Sequence, residues 1–194
     1  MTDANQFTCL LLEEDDDRKV SHSIQTLDND RLPEGDVTIA VKYSTLNYKD
    51  GMIINGIGRL VREYPHVPGI DFCGVVEESA SPDYKPGDEV ILTGWRVGEI
   101  HWGGFATRAR VKSEWLVPLP GGLDLKQSMA IGTAGFTAML AVMGLENMDV
   151  TPDSGDILVT GAAGGVGSVA VSLLAGLGYN VVAATGRAET HEYL

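Results

Sequence analysis

The segment 156–185 leaves this chain few ways to fold. It reads Asp156-Ile157-Leu158-Val159-Thr160, then the turn Gly161-Ala162-Ala163-Gly164-Gly165-Val166-Gly167, then an apolar stretch, then Tyr179–Thr185. The first run is short and apolar, as a fully buried strand is. Val166–Leu177 reads as a helix, with Gly178 placed as its C-terminal cap. Tyr179–Thr185 reads as a second strand. Strand, helix, strand within about 30 residues is a βαβ unit.

The turn inside that unit has a chemistry. Residues 162–167 fit the pattern G-x-G-x-x-G with Ala162 in the first glycine's place. Small residues let the backbone approach a pyrophosphate, and Gly167 lets helix and strand pack closely. The helix N-terminus then offers free N–H groups and a partial positive charge to the anion. The context of strand before and helix after makes this a dinucleotide site rather than a glycine-rich turn without a ligand. The end of the second strand chooses the cofactor. An NAD site places Asp or Glu about 20 residues beyond the glycines for the ribose 2′-hydroxyl. Here the chain has Thr185-Gly186-Arg187. The planar fork of Arg187 suits a phosphate dianion, Thr185 adds a hydroxyl and Gly186 leaves room, so NADP(H) is expected. The alternative leaves Arg187 on the surface and gives the ribose to Glu189.

Residues 1–125 have another texture. Phe7–Leu12, Asp36–Tyr43, Gly69–Glu78, Glu89–Thr93, Gly103–Val111 and Trp115–Pro118 read as short strands broken by turns, the pattern of a compact β-barrel-like domain. The acidic run Glu13–Asp17 reads as a solvated turn, not a metal cage, because consecutive carboxylates point apart. Near Lys126 the pattern changes. Gln127–Gly144 is apolar at helical spacing, with an inner Gly132-Thr133-Ala134-Gly135 able to break it. The expected class is therefore α/β with a β-rich N-terminal domain: residues 1–125 form one domain, and residues 126–194 begin a Rossmann-type domain that the chain leaves unfinished.

Charge and composition exclude several classes. The net charge is −13, from 27 acidic and 14 basic residues, which argues against phosphate-driven nucleic-acid binding. The apolar runs read as too short to span a bilayer, and the N-terminus lacks a signal-like basic and apolar pair, so a cytoplasmic protein with no membrane partner is expected. Cys9 and Cys73 sit in strand-like surroundings and read as buried, inert thiols in a reducing compartment. Four histidines, His22, His66, His101 and His191, are scattered without ligand spacing, so no metal is expected.

A barrel-like domain ahead of a dinucleotide βαβ unit resembles the medium-chain dehydrogenase/reductase superfamily. Leu46-Asn47-Tyr48-Lys49-Asp50, Pro68-Gly69-Ile70-Asp71-Phe72, Gly87-Asp88-Glu89-Val90 and 132–138 (GTAGFTA) carry the resemblance. It implies a GroES-like catalytic domain. Zinc members have Cys where this chain has Asn47, and Gly-His-Glu at Gly69-Ile70-Asp71, so the resemblance is to the zinc-independent branch. Within it the chain resembles the NADPH-dependent acryloyl-CoA reductases, long described as quinone-oxidoreductase-like, through the same pieces plus 92–95 (LTGW), 101–104 (HWGG) and 190–194 (THEYL). That family implies that Tyr48, Ala163, Gly164, Gly165, Val166, Thr185, Gly186 and Arg187 hold NADP(H). It implies hydride addition to the β-carbon of a short α,β-unsaturated acyl-CoA, with protonation at the α-carbon. Tyr48 is the expected catalytic residue beside the nicotinamide, as proton source or as a ring that only packs there, and Asn47 hydrogen-bonds in the same cleft. The substrate is then a small molecule, an acyl-CoA or alternatively a quinone, and the assembly a homodimer. A non-catalytic NADPH-binding protein is the other class, against which the polar Asn47-Tyr48 pair stands.

Overall fold

The computed structural model describes residues 5–194; the first four, part of the stretch read above for a targeting signal, lie outside the described residues. The chain divides into two compact units, Met1–Gly132 and Thr133–Leu194.

The first unit is built of antiparallel strands. β1 (Gln6–Glu14) and β2 (Val20–Asp28) form a hairpin in continuous register from Gln6 opposite Asp28 to Glu14 opposite Val20. β3 (Val37–Tyr43), β4 (Asp71–Ser79), β5 (Glu89–Thr93), β6 (Arg108–Val111) and β7 (Val117–Pro118) make a five-stranded sheet in the order β6-β3-β4-β5-β7. One short helix, α1 (Tyr48–Ile54), leaves β3 before the chain returns as β4. Val37, Ile39, Phe72, Val76, Val90, Leu92 and Val111 bury their side chains in one core. Each such group contributes roughly 1.5–3 kcal/mol. A second cluster of Phe7, Cys9, Leu11, Leu32 and Val67 packs along the hairpin. A third joins Leu12, Ile53, Val61 and Ile70, so α1 is anchored through Ile53.

Several stretches here departed from the sequence reading: α1 was not expected, and Glu13 and Glu14, read as part of a solvated turn, are the last residues of β1, opposite Ser21 and Val20. β2 escaped the reading because its sequence, VSHSIQTLD, is polar and mostly exposed: among the described residues its only strand partner is β1, so it has one ladder and little core to meet. The stretch from Gly103 was read as strand, but β6 starts only at Arg108. Gly103, Gly104 and Phe105 donate their N–H groups instead to the carbonyls of Val67, Gly69 and Pro68.

α2 (Leu125–Glu146) is interrupted at Gly132, whose φ of 51° and ψ of −160° are not helical. A side chain there would meet the Thr45 hydroxyl oxygen at 3.2 Å, so glycine suits both the conformation and the space. The helix also corrects the reading of the apolar runs. Its 22 residues and hydropathy of 1.6 would suffice, by length and composition alone, to cross a membrane. The break at Gly132 splits it into 125–131 and 133–146, each well below the ~20 residues a span requires.

The second unit holds the βαβ unit. β8 (Ile157–Thr160) and β9 (Val181–Ala184) pair in parallel from Ile157 opposite Val181 to Thr160 opposite Ala184, connected through α3 (Gly165–Gly176). Val142 of α2, Leu174 of α3 and Tyr179 form its core, with Ile157, Val159 and Val181 partly buried against them. The Tyr179 hydroxyl donates to the Val150 carbonyl at 2.8 Å, which satisfies the one polar atom of that buried ring. Gly178 has φ of 89°, the left-handed stop expected after α3.

Candidate active site

In the second unit the glycine-rich turn is shaped by its own backbone. Gly161 lies at φ of 61°, its carbonyl accepts the Gly164 N–H at 2.8 Å, and the Ala162 N–H donates to the Ala184 carbonyl at the end of β9. Gly164 is the residue before α3, with extended φ and ψ and no side-chain cap. Gly167 is held tightest. A Cβ on it would come within 2.3 Å of the Gly161 carbonyl oxygen and 2.8 Å of the Ala162 Cα. Only glycine lets α3 start this close to the turn. The first N–H groups of a helix have no intrahelical acceptor, so the start of α3 presents donors free for an anion. Ala163 and Gly164 lead into it, Gly165 and Val166 open it, and Gly164, Gly165 and Val166 are exposed.

Thr185, Gly186 and Arg187 follow β9 directly. The Thr185 hydroxyl accepts the Arg187 N–H at 3.3 Å and lies 3.0 Å from the Thr190 hydroxyl, which itself donates to the Arg187 carbonyl at 2.7 Å. Both hydroxyls therefore brace the backbone of Arg187. The Arg187 side chain is exposed, just beyond the end of the strand.

In the first unit, Asn47 precedes α1 and Tyr48 is its first residue. The Tyr48 ring is 89% exposed within this chain. Asn47 is committed elsewhere: its amide donates to the Thr45 hydroxyl at 2.9 Å and to Asp71 Oδ2 at 3.2 Å. Two carboxylates organise this corner. Asp50 is 1% exposed; its Oδ1 accepts the Ile70 N–H at 3.0 Å and its Oδ2 the Asn47 N–H at 2.9 Å. Burial pushes the Asp50 carboxyl above its ordinary value; the hydrogen bonds from Asn47 and Ile70 oppose this, and the Asp71 charge adds to it. Asp71 is fully buried and accepts the Thr45 N–H at 3.0 Å and the Thr45 hydroxyl on both oxygens, at 2.8 and 2.7 Å. A buried carboxylate requires such partners, or leaving water costs several kcal/mol. The sequence reading quoted Asp50 and Asp71 but gave them no role. The signals were there: an Asn-x-x-Asp spacing that closes a helix start, and an acid inside the apolar run GIDFC.

The donor set of this corner does not fit zinc. Ile70, in the histidine position of zinc members, packs among Leu12, Ile53 and Val61. Asn47, in the cysteine position, offers an amide already bonded to Thr45 and Asp71. Among the described residues no three His, Cys, Asp or Glu side chains group as a metal centre needs. His66 and His101 hold structure. Each ring Nε2 lies 2.8 Å from a carbonyl oxygen, Gly98 and Arg110 respectively, and so donates. Both cysteines are free and buried, and burial pushes the Cys9 thiol up to about 11.

Residues 33–121 match the alcohol dehydrogenase GroES-like domain. Over 189 residues the chain is 60% identical to the acrylyl-CoA reductase of Ruegeria pomeroyi, covering 97% of this chain and 57% of that protein. The Escherichia coli K-12 protein YhdH, crystallised with bound NADPH, superposes with a TM-score of 0.93 at 59% identity, over 95% of this chain and 57% of that one. The Bacillus subtilis protein YhfP, named a putative quinone oxidoreductase, is 49% identical over 90% of this chain and 53% of its own length. Its crystal structure holds NAD and superposes with a TM-score of 0.93 at 46% identity, over 98% of this chain and 57% of that one. The chain thus spans little more than half the length of the relatives it matches.

Proposed function

Because the chain belongs to the medium-chain dehydrogenase/reductase superfamily, we propose that it is part of an NADPH-dependent reductase of short α,β-unsaturated acyl-CoA thioesters, acryloyl-CoA foremost. The observation that carries this reading is the 60% identity to an acrylyl-CoA reductase across 97% of the chain. The cradle at Gly164–Val166, closed behind by Gly167, fits a pyrophosphate. Bound NADPH would supply the hydride for the β-carbon of the thioester.

The chain's own residues orient and stabilise. The first turn of α3 donates N–H groups to the pyrophosphate. Arg187, its backbone braced by Thr185 and Thr190, pairs with the 2′-phosphate, which favours NADPH over NADH. Tyr48 borders the nicotinamide and is the proton source for the α-carbon. Asn47, with both amide protons engaged by Thr45 and Asp71, acts as a positioning residue for Tyr48 rather than touching substrate. Conjugate reduction of a thioester suits a site without a Lewis acid, because hydrogen-bond donors alone can stabilise the enolate oxygen. The reading includes a cytoplasmic location and a homodimeric assembly.

Quinone reduction is the second reading, favoured by the 49% identity to the Bacillus subtilis relative named for it. The test is kcat/KM of the full-length enzyme with NADPH for acryloyl-CoA against a simple quinone. The expected result is a clear preference for acryloyl-CoA. Faster turnover of the quinone, or none of acryloyl-CoA, overturns the substrate assignment and leaves fold and family untouched.

A further inference from the structure

The chain has eight arginines among its 14 basic residues, against 27 acids. Arg96 and Arg108 form ion pairs with Glu99 and Glu77, and Arg110 bonds the Thr38 hydroxyl. Three others, Arg18, Arg59 and Arg62, converge instead on one surface cavity of about 710 Å³, which they share with Glu14, Asp17 and Tyr64. Among the described residues none of these three guanidinium groups makes a side-chain hydrogen bond or an ion pair, although two carboxylates line the same cavity. Two of them stand on strained backbone: Arg18 has φ of 62° and Arg59 of 49°, where glycine or asparagine is the ordinary choice. In so acidic a chain, unpaired arginines gathered at one concavity are a local reversal of the overall field.

The cavity also stands in a definite relation to Tyr48. Gly56, which lines it, lies just past the end of α1, and Tyr48 is the first residue of that helix. Seven helical residues extend about 10 Å. An acyl-coenzyme A is built the same way, with its reacting thioester at one end of a flexible arm and its nucleotide phosphates at the other.

Resting on the acyl-CoA reading above, we propose that the cavity lined by Arg18, Arg59 and Arg62 is the site for the nucleotide phosphates of the thioester substrate. The planar forks of three arginines match phosphate monoester and pyrophosphate oxygens. Glu14 and Asp17 oppose the same anion and moderate its affinity, so that a coenzyme A product can leave.

The probe is free coenzyme A, titrated by calorimetry into the full-length protein and into Arg59→Ala/Arg62→Ala. The double variant removes two exposed side chains and no core contact. Binding should weaken roughly tenfold or more, while Asp17→Asn should tighten it. Kinetics separate the possible sources of phosphate. In the double variant KM for acryloyl-CoA should rise by a similar factor with kcat within about twofold. KM for NADPH and turnover of S-acryloyl-N-acetylcysteamine, which lacks the nucleotide, should not change. Coenzyme A binding equal in wild type and variant, or equal losses for both thioesters, overturns the site. A shift confined to NADPH overturns it too, by assigning the arginines to the cofactor. A wild type that binds coenzyme A through these arginines yet reduces no acryloyl-CoA sustains the site and overturns the reductase reading instead.

Discussion

Arg187 and Asn47 show how differently single residues depend on their surroundings. Arg187 carries its meaning in its place at the end of β9, where the chain has no acid for a ribose hydroxyl. Its backbone is fixed by Thr185 and Thr190 while its fork stays exposed. Arg187→Ala should therefore weaken NADPH binding by roughly 1.5–3 kcal/mol, the worth of a charge-assisted hydrogen bond, and leave NADH nearly untouched. Titration of both cofactors checks this, and equal losses for the two would remove the assignment. Asn47 was expected to hydrogen-bond in the cleft beside Tyr48. In the fold its amide donates to Thr45 and Asp71, and Asp71 joins this corner from 24 to 26 residues away in sequence. No local spacing could announce it. What local spacing does announce is the Asn47–Asp50 closure of α1.

Among the elements, the βαβ unit was legible almost to the residue. β8, α3 and β9 start and stop within two residues of where the apolar runs and Gly178 put them. The reason is that an unbroken apolar run and a helix opened by small residues each have a strong local signature, although the run was read as a fully buried strand and both β8 and β9 hold only half-buried and exposed residues in this chain. β2 and α1 were not legible. β2 is polar, and α1 is seven residues long, too short for a helical period to emerge. Gly167 yields the element-scale prediction. Gly167→Ala drives a Cβ into backbone atoms of Gly161 and Ala162, which cannot move cheaply. It should cost about 1–3 kcal/mol of stability and weaken NADPH binding as the turn deforms. Gly165→Ala meets only the Ala134 Cβ, at an ordinary 3.5 Å, and should lose no stability. Paired melting curves and cofactor titrations distinguish the two, and an equally stable Gly167→Ala would contradict the packing argument.

For the molecule as a whole, acid stability follows from two histidines, His66 buried and His101 partly buried. Burial holds both His66 and His101 below the usual 6.5; His101 further lowers His66, and Lys112 further lowers His101. Unfolding restores the ordinary value, so the unfolded chain binds more protons from about pH 6.5 down to the depressed values. Stability must fall as pH drops through that window. Asp50 acts oppositely: its raised carboxyl, pushed up by burial, is a penalty at neutral pH that protonation relieves. The melting temperature should thus decline between about pH 7.5 and about pH 5.5, less so in His101→Gln, which keeps a donor for the Arg110 carbonyl. A flat or rising profile would refute the histidine argument. By itself the sequence determined the strand-rich first unit, the βαβ unit, its glycine-rich turn and the place of Arg187 just beyond β9, because each is written in contiguous residues obeying local sterics and periodicity. Tertiary structure alone decided that Ile70 is core, that Asp71 bonds Thr45 and Asn47, and that Arg18 joins Arg59 and Arg62 in one cavity. Those facts depend on which distant backbone segments meet, and side chains more than 40 residues apart, such as Arg18 and Arg59, leave no trace of that meeting in the order of the chain.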